Sequence, residues 1–378
     1  MQLPTFVRQR PPFWPEFSSP LRSPAVTARV GRVLGIAFGL CFVTGLLSHY
    51  QYAPWHWLPI PAAPYWGYRL TQGVHVITGI SCIPLLLLKL WSVFHRLFVW
   101  PPVRSVAHSL ERGSVAILVS ASVFQLITGL FNILQFYPWH WGFLRVHYWM
   151  SWVVIGSLLL HIAIQLPAIR EGLADRVWRS GDSPGPSRRG VLIAGGAGIA
   201  VVTATTIGQV IPVLQPIGLL AARQPRKGPQ GVPVNRTAAA AQVVRLAQSP
   251  QYRLTVDGPH LLFELKLAEL EALPISQTSL PIACVEGWSV QADWHGPRLL
   301  DLVHRVGGNS SSKVSLISLE HGAYSRSSLT GSQLEHALLA THLNGQRLDL
   351  DHGYPVRLIA PDRAGVLQTK WITKIEVR

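Results

Sequence analysis

Four histidines stand where an imidazole is costly unless it has work to do: His75, His147 and His161 lie inside long apolar runs, and His108 lies just ahead of another. A histidine at membrane depth must be paired, held in a cavity or bound to metal. His147 and His161 are fourteen residues apart, close to four helical turns, so they share one face about 21 Å apart along the axis. His75 and His147 hold corresponding places in two runs of the same direction, which puts them at similar depth. Two neutral imidazoles so placed suit the axial positions of a haem iron. His161 meets Lys89, not histidine, at the matching depth of the earlier run. Its preferred partner is His108, with His95 as the other choice, so one or two b haems are expected. Lys89 is expected to snorkel to the interface and to carry no function. Cys41, Cys82 and Cys284 are too few and too scattered for a disulfide framework or a thiolate zinc site; Cys41 and Cys82, inside apolar runs, read as lipid-facing or core residues, and Cys284 reads by composition as a buried, inert thiol. Arg357 and Lys370 are reasonable phosphate partners on charge alone, or members of a solvated strand face.

The elements that would position these groups begin with the membrane. Of 378 residues, 48% are hydrophobic and 13% charged, outside the usual soluble range. The net charge of +15 does not form one stripe on a soluble face, which argues against a nucleic-acid partner. Stretches near 30–49, 69–94, 113–135, 144–167 and 191–213 are long enough as helices to cross about 30 Å of hydrocarbon, with lipid as their partner. Arg8, Arg10, Arg22 and Arg29 precede the first, Arg96, Arg104 and Arg112 join the second to the third, and Arg170, Arg176, Arg179, Arg188 and Arg189 join the fourth to the fifth. Loops 50–68 and 136–143 carry no Lys or Arg. The positive-inside rule then makes the N-terminus cytoplasmic and the C-terminal part outer, in a multi-pass protein of a bacterial cytoplasmic membrane.

An internal repeat organises the first four runs: TGLLSHYQYAPWHW at 44–57 matches TGLFNILQFYPWHW at 128–141, as two duplicated hairpins would. Trp55, Trp57, Trp139 and Trp141 suit the outer interfacial belt, where His49, His56 and His140 also gather. Gly45, Gly79 and Gly129 each follow a Thr and leave room either for a porphyrin or for close helix packing. The expected organisation is a cytoplasmic segment 1–29, a four-helix haem b domain 30–167, a cytoplasmic linker 168–190, a fifth helix 191–213, a Pro/Gly-rich linker 214–234 and an outer domain 235–378. In that last domain YRLTVDG, KVSLISL, YPVRLIA and KWITKIEV read as strands. LKLAELEAL, GPRLLDLVHRV and SQLEHALLATHL read as short amphipathic helices, giving an α+β fold.

Three resemblances extend this reading. Residues 30–167 resemble, loosely, the four-helix membrane cytochromes b that exchange electrons with quinones. SRRGVLIAGGAGIAVV, with Arg188 and Arg189, is similar to a twin-arginine export signal, which would carry an already folded domain across. PIACVEGWSVQADWHG, HGAYSRSSL and HGYPVRLIAPDRAGVLQTKWITKIEV together resemble the sulfite-oxidase-type molybdopterin-binding domain, on the branch of the periplasmic methionine-sulfoxide reductase catalytic subunit. The resemblance implies a Mo-molybdopterin cofactor with Cys284 as the metal thiolate, and it places Asn235, His352, Arg357, Gln368, Thr369 and Lys370 near the pterin. It puts Tyr324, with Ser325 and Arg326, on the approach to the metal. The arginine-rich stretch that follows the cysteine in sulfite oxidases is missing, since Val285, Glu286, Gly287 and Trp288 stand there. The implied activity is reduction of an S-oxide or similar small oxo-compound with electrons from quinol. The alternatives are sulfite-type oxidation in the reverse direction, or a cofactor-less binding or assembly module.

Overall fold

The computed structural model describes residues 22–53, 58, 60–98, 100, 104–175, 188–224, 226–322 and 324–378. Arg8, Arg10, Trp55, His56, Trp57, Arg176 and Arg179 lie outside the described residues, as does most of the 168–190 linker. Two compact units divide the chain: Met1–Val43 with Val74–Thr206, and Thr44–Gly73 with Ile207–Arg378.

Apolar helices build the first unit. They are α1 (Pro24–Tyr52), α2 (Gly67–Val93), α3 (Val106–Ile133), α4 (Phe143–Ala174) and α5 (Arg188–Thr206); α1 and α2 continue into the second unit at one end. Each holds a stretch long and apolar enough to cross a membrane. Leu34, Phe38, Cys82, Leu85, Leu86, Ala121 and Val154 form a shared core, so Cys82 is the core residue its composition indicates.

Charged and polar groups gather at one end of this helical unit. Arg29 donates to the carbonyls of Gly172 at 3.2 Å and Asp175 at 2.9 Å, a cation closing the exposed C-terminal carbonyls of α4. Lys89 donates to the Thr27 carbonyl at 2.9 Å. The Lys89 side chain thus reaches the end of the helices, where its ammonium ties α2 to the first turn of α1. Gln165 on α4 bonds Glu111 on α3 at 2.6 Å. Aromatic rings collect where α3 gives way to α4, with Trp139 and Trp141 stacked at 4.3 Å and Trp139 on Phe131 at 5.9 Å. Helix α5 ends earlier than the apolar run suggests, because Pro212 and a close approach at Gly208 turn the chain. A Cβ on Gly208 would lie 2.8 Å from the Gly218 backbone.

The second unit carries the α+β domain. Strands β1 (Arg253–Asp257), β2 (Leu262–Lys266), β3 (Ser276–Ala283), β4 (Ser289–Gly296), β5 (Val314–Ser318), β6 (Arg326–Leu329), β7 (Leu338–Ala340), β8 (His342–Leu343), β9 (Gln346–Arg347), β10 (Arg357–Ile359) and β11 (Ile372–Val377) form three sheets. Their orders are β2-β1-β11-β5-β6, β3-β4-β8-β9 and β10-β7. Only β1 with β11 is parallel among the described pairs. Leu254, Val256, Leu316, Ile375 and Val377 on the five-stranded sheet pack with Leu299, Leu302 and Val303 in the main core. The strand and first two helix readings hold. SQLEHALLATHL is instead a short helix, Gly331–Glu335, followed by β7 and β8. Its Ala-Leu-Leu-Ala stretch is buried on both faces, and an apolar run without period fits a strand as readily as a helix.

Candidate functional site

Cys284 sits at the tip of the β3–β4 hairpin, in the five-residue turn Cys-Val-Glu-Gly-Trp. The turn closes on itself: the Cys284 N–H donates to the Trp288 carbonyl at 2.9 Å and the Gly287 N–H to the Cys284 carbonyl at 3.0 Å. Gly287 has φ of 94°, a left-handed conformation that explains its type. The sulfur is buried, yet hydrogen-bond donors surround it. Asn235 Nδ2 donates to Sγ at 2.9 Å, and Trp288 Nε1 holds the other end of that amide at 3.2 Å. Burial pushes the thiol up, as does the Glu286 carboxylate, while the backbone N–H groups of Glu286 and Val285 and the Asn235 amide oppose the rise. Donors converging on a buried sulfur suit a thiolate whose charge a metal balances.

Beside the turn lies a buried cationic cluster. Arg357, on β10, is 1% exposed; its Nη1 donates to the His352 carbonyl at 3.0 Å and its Nη2 to the Gln368 carbonyl at 3.3 Å. Burial pushes the guanidinium down to about 9, and its Nε has no hydrogen-bond partner among the described residues. His352 Nε2–H donates to the Pro229 carbonyl at 2.8 Å. Burial first and Arg357 second hold it down to about 4. Lys370 reaches the carbonyls of Arg236 and Asp351 at 2.8 and 2.7 Å. Burial and then Arg357 bring its ammonium down to about 7, with Cys284 among the groups acting the other way. Gln368 Oε1 is buried without a partner among the described residues, and Thr369 shares a hydroxyl hydrogen bond with Ser327. A solvated strand face is thereby excluded for Arg357. A fully buried guanidinium with an unfilled Nε donor, near the half-buried Lys370 ammonium, is what a phosphate completes. Tyr324 is 47% exposed, and its hydroxyl is pushed up by desolvation and then by Tyr52, Cys284 and Glu286.

In the helical unit, the His75 and His147 rings face each other with centroids 6.1 Å apart and planes at 82°. His75 Nδ1 is engaged with the Cys41 carbonyl at 2.8 Å, leaving Nε2 for a ligand; Cys41 is thus a partner of the histidine and not a lipid-facing residue. Gln125 holds the His147 carbonyl at 2.9 Å, and a Cβ at Gly129 would lie 3.5 Å from His147 Cε1. His147 Nδ1 is buried without a partner among the described residues. His161 and His108 are not brought together. They lie on opposite sides of the Glu111–Gln165 contact on antiparallel helices, about 10 Å apart along the axis at 1.5 Å per residue. His108 Nδ1 accepts from the Arg104 N–H at 3.2 Å, and no ring contact joins His161 to His108 or His95 among the described residues.

Residues 240–378, the part of the chain that carries the three sheets and the Cys284 turn, match the family model described as "Oxidoreductase molybdopterin binding domain". The chain is 30% identical over 122 residues to the uncharacterized oxidoreductase YuiH of Bacillus subtilis, covering 32% of this chain and 60% of that protein. It is 31% identical over 112 residues to sulfite oxidase of Arabidopsis thaliana, with 24% and 28% covered. It is 28% identical over 138 residues to the putative protein-methionine-sulfoxide reductase subunit YedZ1 of Azospira oryzae, with 35% and 52% covered. The chain thus spans less than two thirds of each of these relatives. The sequence motifs found the thiol and the cationic cluster. They missed Trp288, whose indole orients Asn235, and Glu286 beside the thiol, since neither position carries a signal beyond the motif itself.

Proposed function

We propose that this protein is a membrane-bound molybdopterin-dependent oxidoreductase in which quinol, a b haem and an outer-face molybdenum centre pass electrons to a small S-oxide. The observation that carries the reading is the Cys284 sulfur, buried at a hairpin tip with an amide N–H on it at 2.9 Å. When bound, the molybdenum group supplies two-electron oxo transfer at a thiolate-ligated metal. Asn235 and the turn amides hold the Cys284 sulfur as an anion, and Trp288 keeps Asn235 in register. His352, Arg357, Gln368, Thr369 and Lys370 bind the pterin phosphate end, with Arg357 and Lys370 neutralising it. Tyr324 lines the approach and offers a hydroxyl proton to the departing oxygen. Reduction of the S-oxide consumes two electrons and two protons and releases water and the sulfide.

His75 and His147 would hold the haem. Their rings, with centroids 6.1 Å apart, lie at the same level of the bundle, and the group they would hold would supply one-electron transfer. The separation of His161 from His108 favours one haem over two. The apolar helices would cross a bacterial cytoplasmic membrane with their Arg-rich ends inside, Arg188 and Arg189 serving as the export signal of the folded domain. A quinone would exchange electrons at the membrane domain.

The reductive direction draws on the name of the YedZ1 relative, a putative methionine-sulfoxide reductase subunit. Similarity to sulfite oxidases favours a second reading, sulfite oxidation delivering electrons to the membrane. One experiment separates them: dithionite-reduced haem is reoxidised by methionine sulfoxide under the proposal, whereas oxidised haem is reduced by sulfite under the alternative. Loss of both responses and of molybdenum in Cys284→Ala ties either activity to the thiolate. Unchanged molybdenum in that variant would defeat both.

A further inference from the structure

Residues on both sides of Cys284 are held by the connection between the first two apolar helices. Thr44–Gly73 belongs to the same compact unit as the α+β domain. Tyr68, 2% exposed, packs with Ala283 and Ala364, and Tyr52 lies against the same cluster. Gln72 Nε2 donates to the Val285 carbonyl at 2.7 Å. The segment is itself latched by Asp362, a residue 5% exposed. Its carboxylate accepts from Gln51 Nε2 at 2.9 and 3.0 Å and from the backbone N–H of Tyr68. Tyr68 stands in the first turn of α2, so Asp362 caps that helix from elsewhere in the chain and meets the positive end of its dipole. A Cβ at position 67 would lie 2.6 Å from Asp362 Oδ1 and would displace the carboxylate. Burial pushes the Asp362 carboxyl up, against the Tyr68 N–H and the Gln51 amide.

The peptide between Val285 and Glu286 is where this latch meets the thiol. Its carbonyl accepts from Gln72, and its N–H is that of Glu286, in the turn that closes around the sulfur, where it opposes the rise of the thiol. The peptide unit is planar, so fixing the carbonyl fixes the direction of the N–H. We propose that Gln72, latched in place by Asp362, is a positioning residue for Cys284: it aims the Glu286 N–H at the sulfur and so sets how strongly that sulfur donates to the metal. This rests on the reading of Cys284 as the molybdenum thiolate. Hydrogen bonds to a ligating sulfur draw electron density from it and raise the potential of the metal it serves.

The test uses the full-length protein in detergent, as purified and from cells unable to make the pterin cofactor. Gln72→Met keeps the shape and removes the donor; Gln72→Lys restores a donor, and Asp362→Asn loosens the latch. In Gln72→Met, molybdenum content stays at the wild-type level, the molybdenum potential moves lower and kcat falls about tenfold with KM unchanged. In the cofactor-free chain, amide exchange in the 284–288 turn quickens about tenfold. Asp362→Asn moves the potential and the exchange the same way by less, and Gln72→Lys returns both toward wild type. Wild-type potential and exchange in Gln72→Met and Asp362→Asn, or no recovery in Gln72→Lys, overturn the assignment. If the wild-type protein holds no molybdenum while Gln72→Met still quickens exchange, the metal reading fails and the latch stands. If wild type holds molybdenum on Cys284 and Gln72→Met matches it throughout, the latch alone fails.

Discussion

Arg357→Met should move two properties in opposite directions. Burial lowers the guanidinium from its ordinary value to about 9, a difference worth on the order of 4 to 5 kcal/mol against the folded, cofactor-free chain. Its two hydrogen bonds to the His352 and Gln368 carbonyls, at 3.0 and 3.3 Å, return roughly 1.5 kcal/mol each as charge-assisted bonds. The net cost of keeping the cation is therefore about 2 kcal/mol, within the range found when buried charges give way to apolar side chains. Methionine fills similar volume beside Trp294, over whose ring the guanidinium carbon lies at 5.2 Å. The cofactor-free variant should unfold several degrees above wild type, at about 4 °C per kcal/mol. The pterin phosphate would meanwhile lose a buried charge-assisted partner, worth about 3 kcal/mol or a hundredfold in affinity. Thermal unfolding of full-length protein from a cofactor-deficient host, with pterin content from a competent one, reads both. A variant that keeps its full pterin, or that melts well below wild type without it, would show that Arg357 is a structural cation and refute the phosphate argument.

The other expected outcomes are narrower. His147→Ala or His75→Ala should each abolish the b-type α band of the reduced protein while leaving molybdenum bound; an unchanged spectrum in either would remove the haem from that pair. His352, held down to about 4 by burial and by Arg357, is neutral when folded and protonates near its ordinary value when unfolded. Its stabilisation is present above that ordinary value and is lost as pH falls toward 4, on the order of 3 kcal/mol in total. Urea unfolding of the cofactor-free chain should show that slope between about pH 6.5 and 4, and His352→Gln should flatten it. Leu316→Ala, in the fully buried middle of β5, should cost about 2 to 5 kcal/mol by the same measurement.

What the sequence yields and what it withholds follow from the range of each signal. The His75–His147 pairing is legible because a repeated hairpin fixes depth and a helix fixes facing. Cys284 and Arg357 are legible through a motif contiguous along the chain, although composition alone makes one an inert thiol and the other a surface cation. Gln72 and Asp362 are not legible, since they meet residues hundreds of positions away and no periodicity marks a side chain that crosses from an apolar helix to a sheet turn. The 338–340 stretch fails for the opposite reason: it is apolar at every position, and its pairing with β10 decides its form. His108 is the preferred partner of His161 because a helix continuous from about 104 could carry it toward the bundle. The helix does begin there, at Val106, but its register against α4, marked by the Glu111–Gln165 contact, is not written in the sequence.

The central claim is a molybdenum thiolate at Cys284 supplied by a haem held between α2 and α4. Metal and haem stoichiometry on one purified full-length sample, with sulfur ligation read from the molybdenum X-ray absorption edge, tests it most directly. The account predicts one molybdenum and one b haem per chain, with one protein-derived sulfur on molybdenum that disappears, along with the metal, in Cys284→Ala. A sample with haem and no molybdenum, or with molybdenum whose sulfur shell is the same in Cys284→Ala, would contradict it.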